Sequence, residues 1–441
     1  MNRYKEYKDS GIEWIGEIPS HWEIMPIKSQ GKLKKGLTFT KADLVEEGKS
    51  VISYGQIHSK DNSKSHLTRN LIRYIPERIY KGNESSLVKK GSFIFADTSE
   101  DLEGCGNAVY NDSNEEVFAG YHTIIFERYD GTGKYLAYLF QTDAWRSQIR
   151  SCVSGVKVYS ITQSILSNTS IIFLPLSEQK EIADYLDKKC GEINAAVSKI
   201  DKELELLDEL KQSEISKAVT KGLNPKVSFK PTGIDWIGEI PSHWKIMPLK
   251  RKLKEALMYG ANEPAESDDI NSPRYIRITD IDANGNLRKE TFKSLEYNLA
   301  QPYLLEKGDI LFVRSGATVG KTFLFNESYP ACFAGYLIKA KCDNSLLPEF
   351  LYRYTNSGSY ENWKNSIFIQ STIQNIGADK YSLLPIPIPP LSEQKEIADY
   401  LDKKCAEIDS LKEKLKQKKE KLQELRQSLI SEVVTGKRKV I

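Results

Sequence analysis

Two blocks of this 441-residue chain occur twice, and their spacing limits what the chain can fold into. Gly11-Ile-Glu-Trp-Ile-Gly-Glu-Ile-Pro-Ser-His-Trp22 returns as Gly233 to Trp244 with only Glu13 exchanged, for Asp235. Leu176-Ser-Glu-Gln-Lys-Glu-Ile-Ala-Asp-Tyr-Leu-Asp-Lys-Lys-Cys190 returns unchanged as Leu391 to Cys405. The first block repeats after 222 residues (11 to 233) and the second after 215 (176 to 391), so the repeating unit is a whole domain. Solenoid units are far shorter, about 20 to 50 residues. Between the blocks the halves share little beyond Phe-Ala-Gly-Tyr, at Phe118 to Tyr121 and Phe333 to Tyr336, in step with the second block. The two middles therefore read as one fold with different surfaces. A fixed frame with a varied centre suits the presentation of two different readers on one scaffold.

Composition narrows the class. Hydrophobic content of 40% with 28% charged residues describes an ordinary soluble globular protein, and the net charge of +3 points neither toward nucleic acid nor away from it. A reader of nucleic acid with this balance has to cluster its Lys and Arg locally. The six Cys form no C-x-x-C pair and have no His nearby, so zinc-site spacing is absent and no metal is expected. Buried free thiols in a reducing cytosol are the expected state. The first residues have no apolar signal core, and no apolar run approaches a membrane span, so a cytoplasmic protein without membrane contact is expected. The chain also lacks an Asn-Pro-Pro-Tyr or Asp-Pro-Pro-Tyr tetrapeptide of amino-methyltransferases and a Gly-rich cofactor loop after a strand. A non-catalytic chain without a cofactor of its own is the consequence.

Each half runs from the Trp-rich block through about 150 mixed residues to a long charged helix, the length of a typical domain. Strands are predicted at Ser92 to Ala96, His122 to Phe126, Arg274 to Ile278 and Asp309 to Val313, all rich in β-branched or aromatic residues. Helices are predicted at Tyr135 to Phe140 and Pro348 to Tyr354, which makes each middle a mixed α/β (α+β) domain. After Pro175 and Pro390, Ser177 and Ser392 read as N-caps of the long helices. Ile193, Val197, Ile200, Leu204 and Leu207 step by fours and threes, as do Ile408, Leu411, Leu415, Leu422, Leu425 and Leu429, with Lys418 interrupting. That is a coiled-coil seam, and its nearest partner is the other copy in an antiparallel, pseudo-twofold pair. The expected organisation is a first reader over 1–175, a helix over 176–222, a linker, second anchor and second reader over 223–390, and a helix over 391–441.

The Trp14-Ile-Gly-Glu-Ile-Pro-Ser-His-Trp22 opening, together with the Pro-Leu-Ser-Glu-Gln-Lys-Glu-Ile-Ala-Asp-Tyr-Leu block, resembles the specificity subunit of type I restriction-modification systems across the whole chain. The resemblance implies a DNA-reading subunit whose two target-recognition domains each bind one half of a gapped, asymmetric double-stranded site. It also implies long helices that separate the readers and dock two modification subunits, adenine methyltransferases that use S-adenosylmethionine. Restriction subunits, with ATP and Mg, would add translocation and cleavage. Two base sequences require two sets of side chains, whereas identical partners require identical docking surfaces.

Candidate DNA contacts fall on loops. Gly316-Ala-Thr-Val-Gly-Lys-Thr322 resembles a phosphate-binding loop but has three residues between its glycines where four are needed, and Thr322 to Phe325 reads as a strand where a helix should follow. A hairpin with Arg314, Ser315, Thr318 and Lys321 facing phosphate or base fits better, against the alternative of a plain surface turn. Gln370 and Gln374 before the second long helix, and Lys157 and Tyr159 at the matching place in the first half, are the next candidates. Arg277, and Tyr54 with Gln56 on the corresponding segment, complete the set, each weighed against a solvated loop or cap. The Trp pairs read as packing anchors, and the repeated His21 and His243 as structural hydrogen-bonding groups. Two rival functions remain at this level: a coiled-coil scaffold that never touches DNA, and an ATPase built on Gly316 to Thr322.

Overall fold

Each long helix starts on a proline. In the computed structural model, which describes residues 3–130, 133–155, 157–282, 285–368 and 374–440, the helices span Leu176–Lys221 and Leu391–Val434. The carbonyls of Pro175 and Pro390 accept from the Gln179 and Gln394 amides, each at 3.0 Å. Proline holds the cap station with its fixed φ and has no N–H to satisfy, so Ser177 and Ser392 lie in the first turn and are not the caps expected from the sequence. Gln179 and Gln394 reinforce the entry by donating their side-chain amides to the carbonyls of Leu174 (2.8 Å) and Pro389 (2.9 Å).

The glutamate just before each of these glutamines ties the two repeated blocks together. Glu178 accepts from the Trp22 indole at 3.0 Å and contacts His21 Nε2 at 2.8 Å; Glu393 does the same with Trp244 at 2.9 Å and His243 at 2.7 Å. Trp22 and Trp244 are fully buried, as anchors should be, whereas Trp14 is 45% exposed and Trp236 half-buried. Replacing Glu178 or Glu393 by Ala strands a buried indole N–H, and each substitution is expected to cost about 1–3 kcal/mol. Urea unfolding measures this directly; an unmoved midpoint in both variants would show that the carboxylates do not hold the anchors.

The chain divides into two units, one made of 1–200 with 417–441 and the other of 201–416. The division cuts through both long helices and does not follow the four consecutive segments expected from the sequence. In the first unit an antiparallel sheet runs in the order Ala108–Tyr110, Phe93–Ala96, Thr123–Arg128, Gly31–Lys35. A second sheet pairs Val117–Ala119 in parallel with Lys49–Ile52. The second unit repeats both features: Leu337–Ala340 and Ile310–Val313 lie side by side antiparallel, and Ala331–Phe333 pairs in parallel with Arg274–Ile276. The shared Phe-Ala-Gly-Tyr sits at this parallel pair in both, so the two middles are one mixed α/β fold. Its glycine is required by close approach: a Cβ on Gly120 would fall 2.1 Å from Ser53 Oγ, and one on Gly335 2.0 Å from Asn262 Oδ1.

Within each unit the two helices lie antiparallel. In the second, Lys211 meets Asp409 at 2.7 Å, Asp208 pairs with Lys412, and Glu214 accepts from Tyr400 at 2.8 Å, so numbers rise on one helix as they fall on the other. In the first, Ile193 and Val197 share a core with Leu422, Leu429 and Ile430. Ile193, Ile200, Ile408 and Leu429 are buried, and Val197, Leu204, Leu207, Leu415 and Leu422 half-buried. Leu411 and Leu425, however, are 47% and 54% exposed and lie outside the seam. With Lys418, also exposed, they form one of the two heptad rows, and a single partner helix covers only the other, 408, 415, 422 and 429. Lys418 is thus no interruption of the buried seam.

The ends of the helices close the cores. Ile430, Val433 and Val434 pack with Trp22 and Ile18, and Ile215, Ala218 and Val219 with Trp244 and Ile240. A left-handed glycine ends each, Gly436 at φ +74° and Gly222 at φ +72°, against the same tryptophans. Five cysteines are buried as free thiols; burial pushes Cys332 and Cys342 up to about 12. Cys152 departs from the expectation and is exposed.

Candidate nucleic-acid interface

In the second unit the backbone gathers several candidates at one spot. Arg314 follows the strand Ile310–Val313; its N–H donates to Tyr336 O at 3.0 Å and its carbonyl accepts from Ile376 at 2.8 Å. The guanidinium lies 4.9 Å over the Tyr259 ring, which holds its plane, and reaches Gly335 O only at 3.5 Å. Its Nε is buried without a partner among the described residues. Ser315 bridges to Asn375, which brings exposed Gln374 beside it, and Tyr336, whose carbonyl holds the Arg314 N–H, is 63% exposed. Gln370 lies outside the described residues.

Beyond Arg314 the chain turns at Gly316 and Gly320, both with φ near +85°, and returns as the antiparallel strand Thr322–Leu324. A phosphate-binding loop leads from strand into helix, so this hairpin has the wrong context for one. Thr318 Oγ1 is buried without a partner among the described residues, and Lys321 is exposed. Arg277 is differently engaged: it pairs with the buried Asp280 at 2.8 Å and donates to Thr291 O at 2.8 Å, capping the turn that follows. Its carboxylate partner holds the guanidinium above its usual range. Gln56 forms the same kind of cap with Ser53, accepting its N–H at 3.1 Å. The polar ends of Arg277 and Gln56 are thus largely spent inside the protein, on corresponding turns as the sequence comparison suggested.

Tyr54 belongs to an aromatic cluster in the first unit, with ring centroids 5.8 Å from Tyr121 and 5.6 Å from His122. It opens onto a cavity of about 720 Å³ shared with His58, Ser99, Asn107, His122 and Arg146. A neighbouring cavity of about 700 Å³ takes in Thr38, Asp97, Tyr121 and Thr162. Tyr159 pairs with Ser99 at this rim and Lys157 is exposed nearby in sequence. The imidazole of His58 is fixed by Thr98 O (2.9 Å) and Asn107 (3.1 Å). Sequence reading missed Asp97, His122, Tyr259 and Tyr336. The last of these was marked by the shared tetrapeptide, whose tyrosine lies beyond the tight glycine.

The family model for the type I restriction modification DNA specificity domain matches residues 19–206 and 245–421. The chain is 22% identical to the type I restriction enzyme EcoKI specificity subunit of Escherichia coli K12, over 96% of this chain and 90% of that one. It is equally similar, at 22% with the same coverage, to the StySPI specificity subunit of Salmonella potsdam. Among solved structures, a chain from a study of assembly and conformational transition of the type I restriction-modification system matches with a TM-score of 0.72 at 16% identity, over 95% of this chain and 98% of that one. The HsdS subunit from Thermoanaerobacter tengcongensis matches with 0.51 at 17% identity, over 96% and 98%. With the family model matched twice over most of its length, on the two copies of one fold, this chain belongs to the specificity subunits of type I restriction-modification systems.

Proposed function

We propose that the two middles read the two halves of a gapped double-stranded DNA site, and that the chain delivers this address to enzymes it does not itself contain. The observation that carries the reading is one fold built twice with different groups at corresponding positions, on helix starts that are identical. Arg314 over Tyr259, with Ser315, Gln374, Thr318 and Lys321 beside it, forms the basic part of the second reader. Tyr54, Tyr159 and Lys157 belong to the first. Exposed Leu206, Leu210 and Leu411 in the second unit, and exposed Lys418 and Leu425 in the first, are the surfaces left over for two modification subunits once the seam is filled. S-adenosylmethionine would be held by those subunits, and ATP and Mg by restriction subunits.

The test is to express the whole chain with its modification subunit and sequence methylated adenines. One asymmetric, bipartite motif is expected. Exchanging residues 23–174 for the middle of another family member should then change one half of the motif and leave the other intact, since well-separated contacts act almost additively. Methylation without any sequence preference would favour a scaffold that does not touch DNA, and a change in both halves together would sink the two-reader assignment.

A further inference from the structure

Asp97 of the first unit occupies the backbone station that Arg314 occupies in the second. Three contacts fix the correspondence. Asp97 directly follows the strand Phe93–Ala96, whose last residue pairs with Thr123; Arg314 directly follows Ile310–Val313, whose last residue pairs with Leu337. The Asp97 N–H donates to His122 O at 3.1 Å, as that of Arg314 does to Tyr336 O at 3.0 Å. The Asp97 carbonyl accepts from Ile161 at 2.7 Å, as that of Arg314 does from Ile376 at 2.8 Å, and Ile161 and Ile376 are both buried and 215 residues apart, the period of the repeat.

The two stations carry opposite charges with opposite hydrogen-bonding capacity. Arg314 only donates; held against Tyr259, it suits the paired N7 and O6 acceptors of guanine. Asp97 only accepts. One carboxylate oxygen contacts His122 Nδ1 at 3.2 Å, and the half-exposed side chain opens onto the 700 Å³ cavity beside Tyr121. A carboxylate on a surface that meets phosphates is repelled unless an N–H donor answers it, so its presence discriminates more than it attracts. In the major groove those donors are the amino groups of adenine and cytosine, whereas guanine and thymine offer acceptors there.

We propose that Asp97 is a specificity-determining residue of the first reader, selecting a base that presents an amino group at the position where the second reader selects guanine through Arg314. This rests on the DNA-reading function proposed above. The whole chain with its modification subunit is again the test, with methylated-site sequencing as the readout. Asp97→Ala should relax the preference at one position of one half-site by about tenfold or more, the range of a lost base contact. Asp97→Arg should shift that same position to a base pair presenting guanine, and Arg314→Asp should shift one position of the other half-site away from it. A motif unchanged at every position in Asp97→Ala, with only weaker methylation overall, would reduce Asp97 to a partner of His122 and overturn the proposal. So would altered bases confined to the half-site that the exchange of 23–174 leaves intact. If the unmodified chain itself yields no motif, the DNA-reading function has failed and not merely the assignment of Asp97.

Discussion

A protein consisting of residues 1–222 alone should pair with itself, assemble with the modification subunit and methylate an inverted repeat. The second unit shows why. There the end of the first helix, through Ile215, Ala218 and Val219, packs on Trp244, Ile240, Ile397 and Leu401. The half-length chain carries the same surface: Trp22 and Ile18 lie in a block with one conservative exchange, and Ile182 and Leu186 in a block with none. A second copy can therefore seat its helix end on contacts the sequence already makes elsewhere. What is lost lies mid-helix, where Asp208 and Lys211 give up Lys412 and Asp409. Exposed pairs of that kind are worth about 0–1 kcal/mol each, too little to decide the outcome against the reconstituted cores. Because both readers are then the first reader, its half-site should appear twice about a true twofold axis. Native mass spectrometry and methylated-site sequencing check this; a monomer that methylates nothing would show that the seam from Ile193 to Leu207 cannot accept itself.

The frame was legible because its constraints are local and stated twice. Apolar stepping and the two prolines marked the long helices, and the β-branched runs marked the central strands to within a residue or two. Two features of the frame were not legible for a common reason. Heptad spacing shows which residues share a helix face but not how many helices cover it, so Leu411 and Leu425 read as seam although one partner leaves their row in solvent. The serines after Pro175 and Pro390 matched a capping preference, but the chain uses the proline carbonyl two residues earlier. At the candidate interface the composition of a loop could suggest Arg314, yet Arg277 and Gln56 look equally available in sequence and are held by capping contacts only a fold reveals. Asp97 carried no signal at all: an acid in a DNA-reading domain stands out only once strand register shows it at the station that an arginine holds in the other reader.

Stopping the chain after Gln427 should unfold the first unit, although such a cut removes only the end of one helix and a short tail. Leu429, Ile430, Val433 and Val434 beyond that point are all buried in the core that holds Trp22, and Tyr135, itself buried, donates to Val434 O at 2.9 Å. Burying one such aliphatic side chain contributes about 1.5–3 kcal/mol, so the four together account for roughly 6–12 kcal/mol. A whole domain is stable by only about 5–15 kcal/mol. Trp22, Ile18 and the Tyr135 hydroxyl would at the same time be left facing solvent or unpaired. A chain stopped after Lys437 keeps all four side chains and Gly436, whose carbonyl accepts from Tyr7 at 2.9 Å, and should unfold near the intact protein. Limited proteolysis with thermal unfolding separates the cases: the shorter chain should be cut readily within 1–200 while the second unit, which draws its core from 201–416, stays protected. Equal resistance of the two truncated chains would mean that the second helix does not complete the first reader's core, and the half-length assembly, which depends on one helix end replacing another at that site, would lose its structural basis with it.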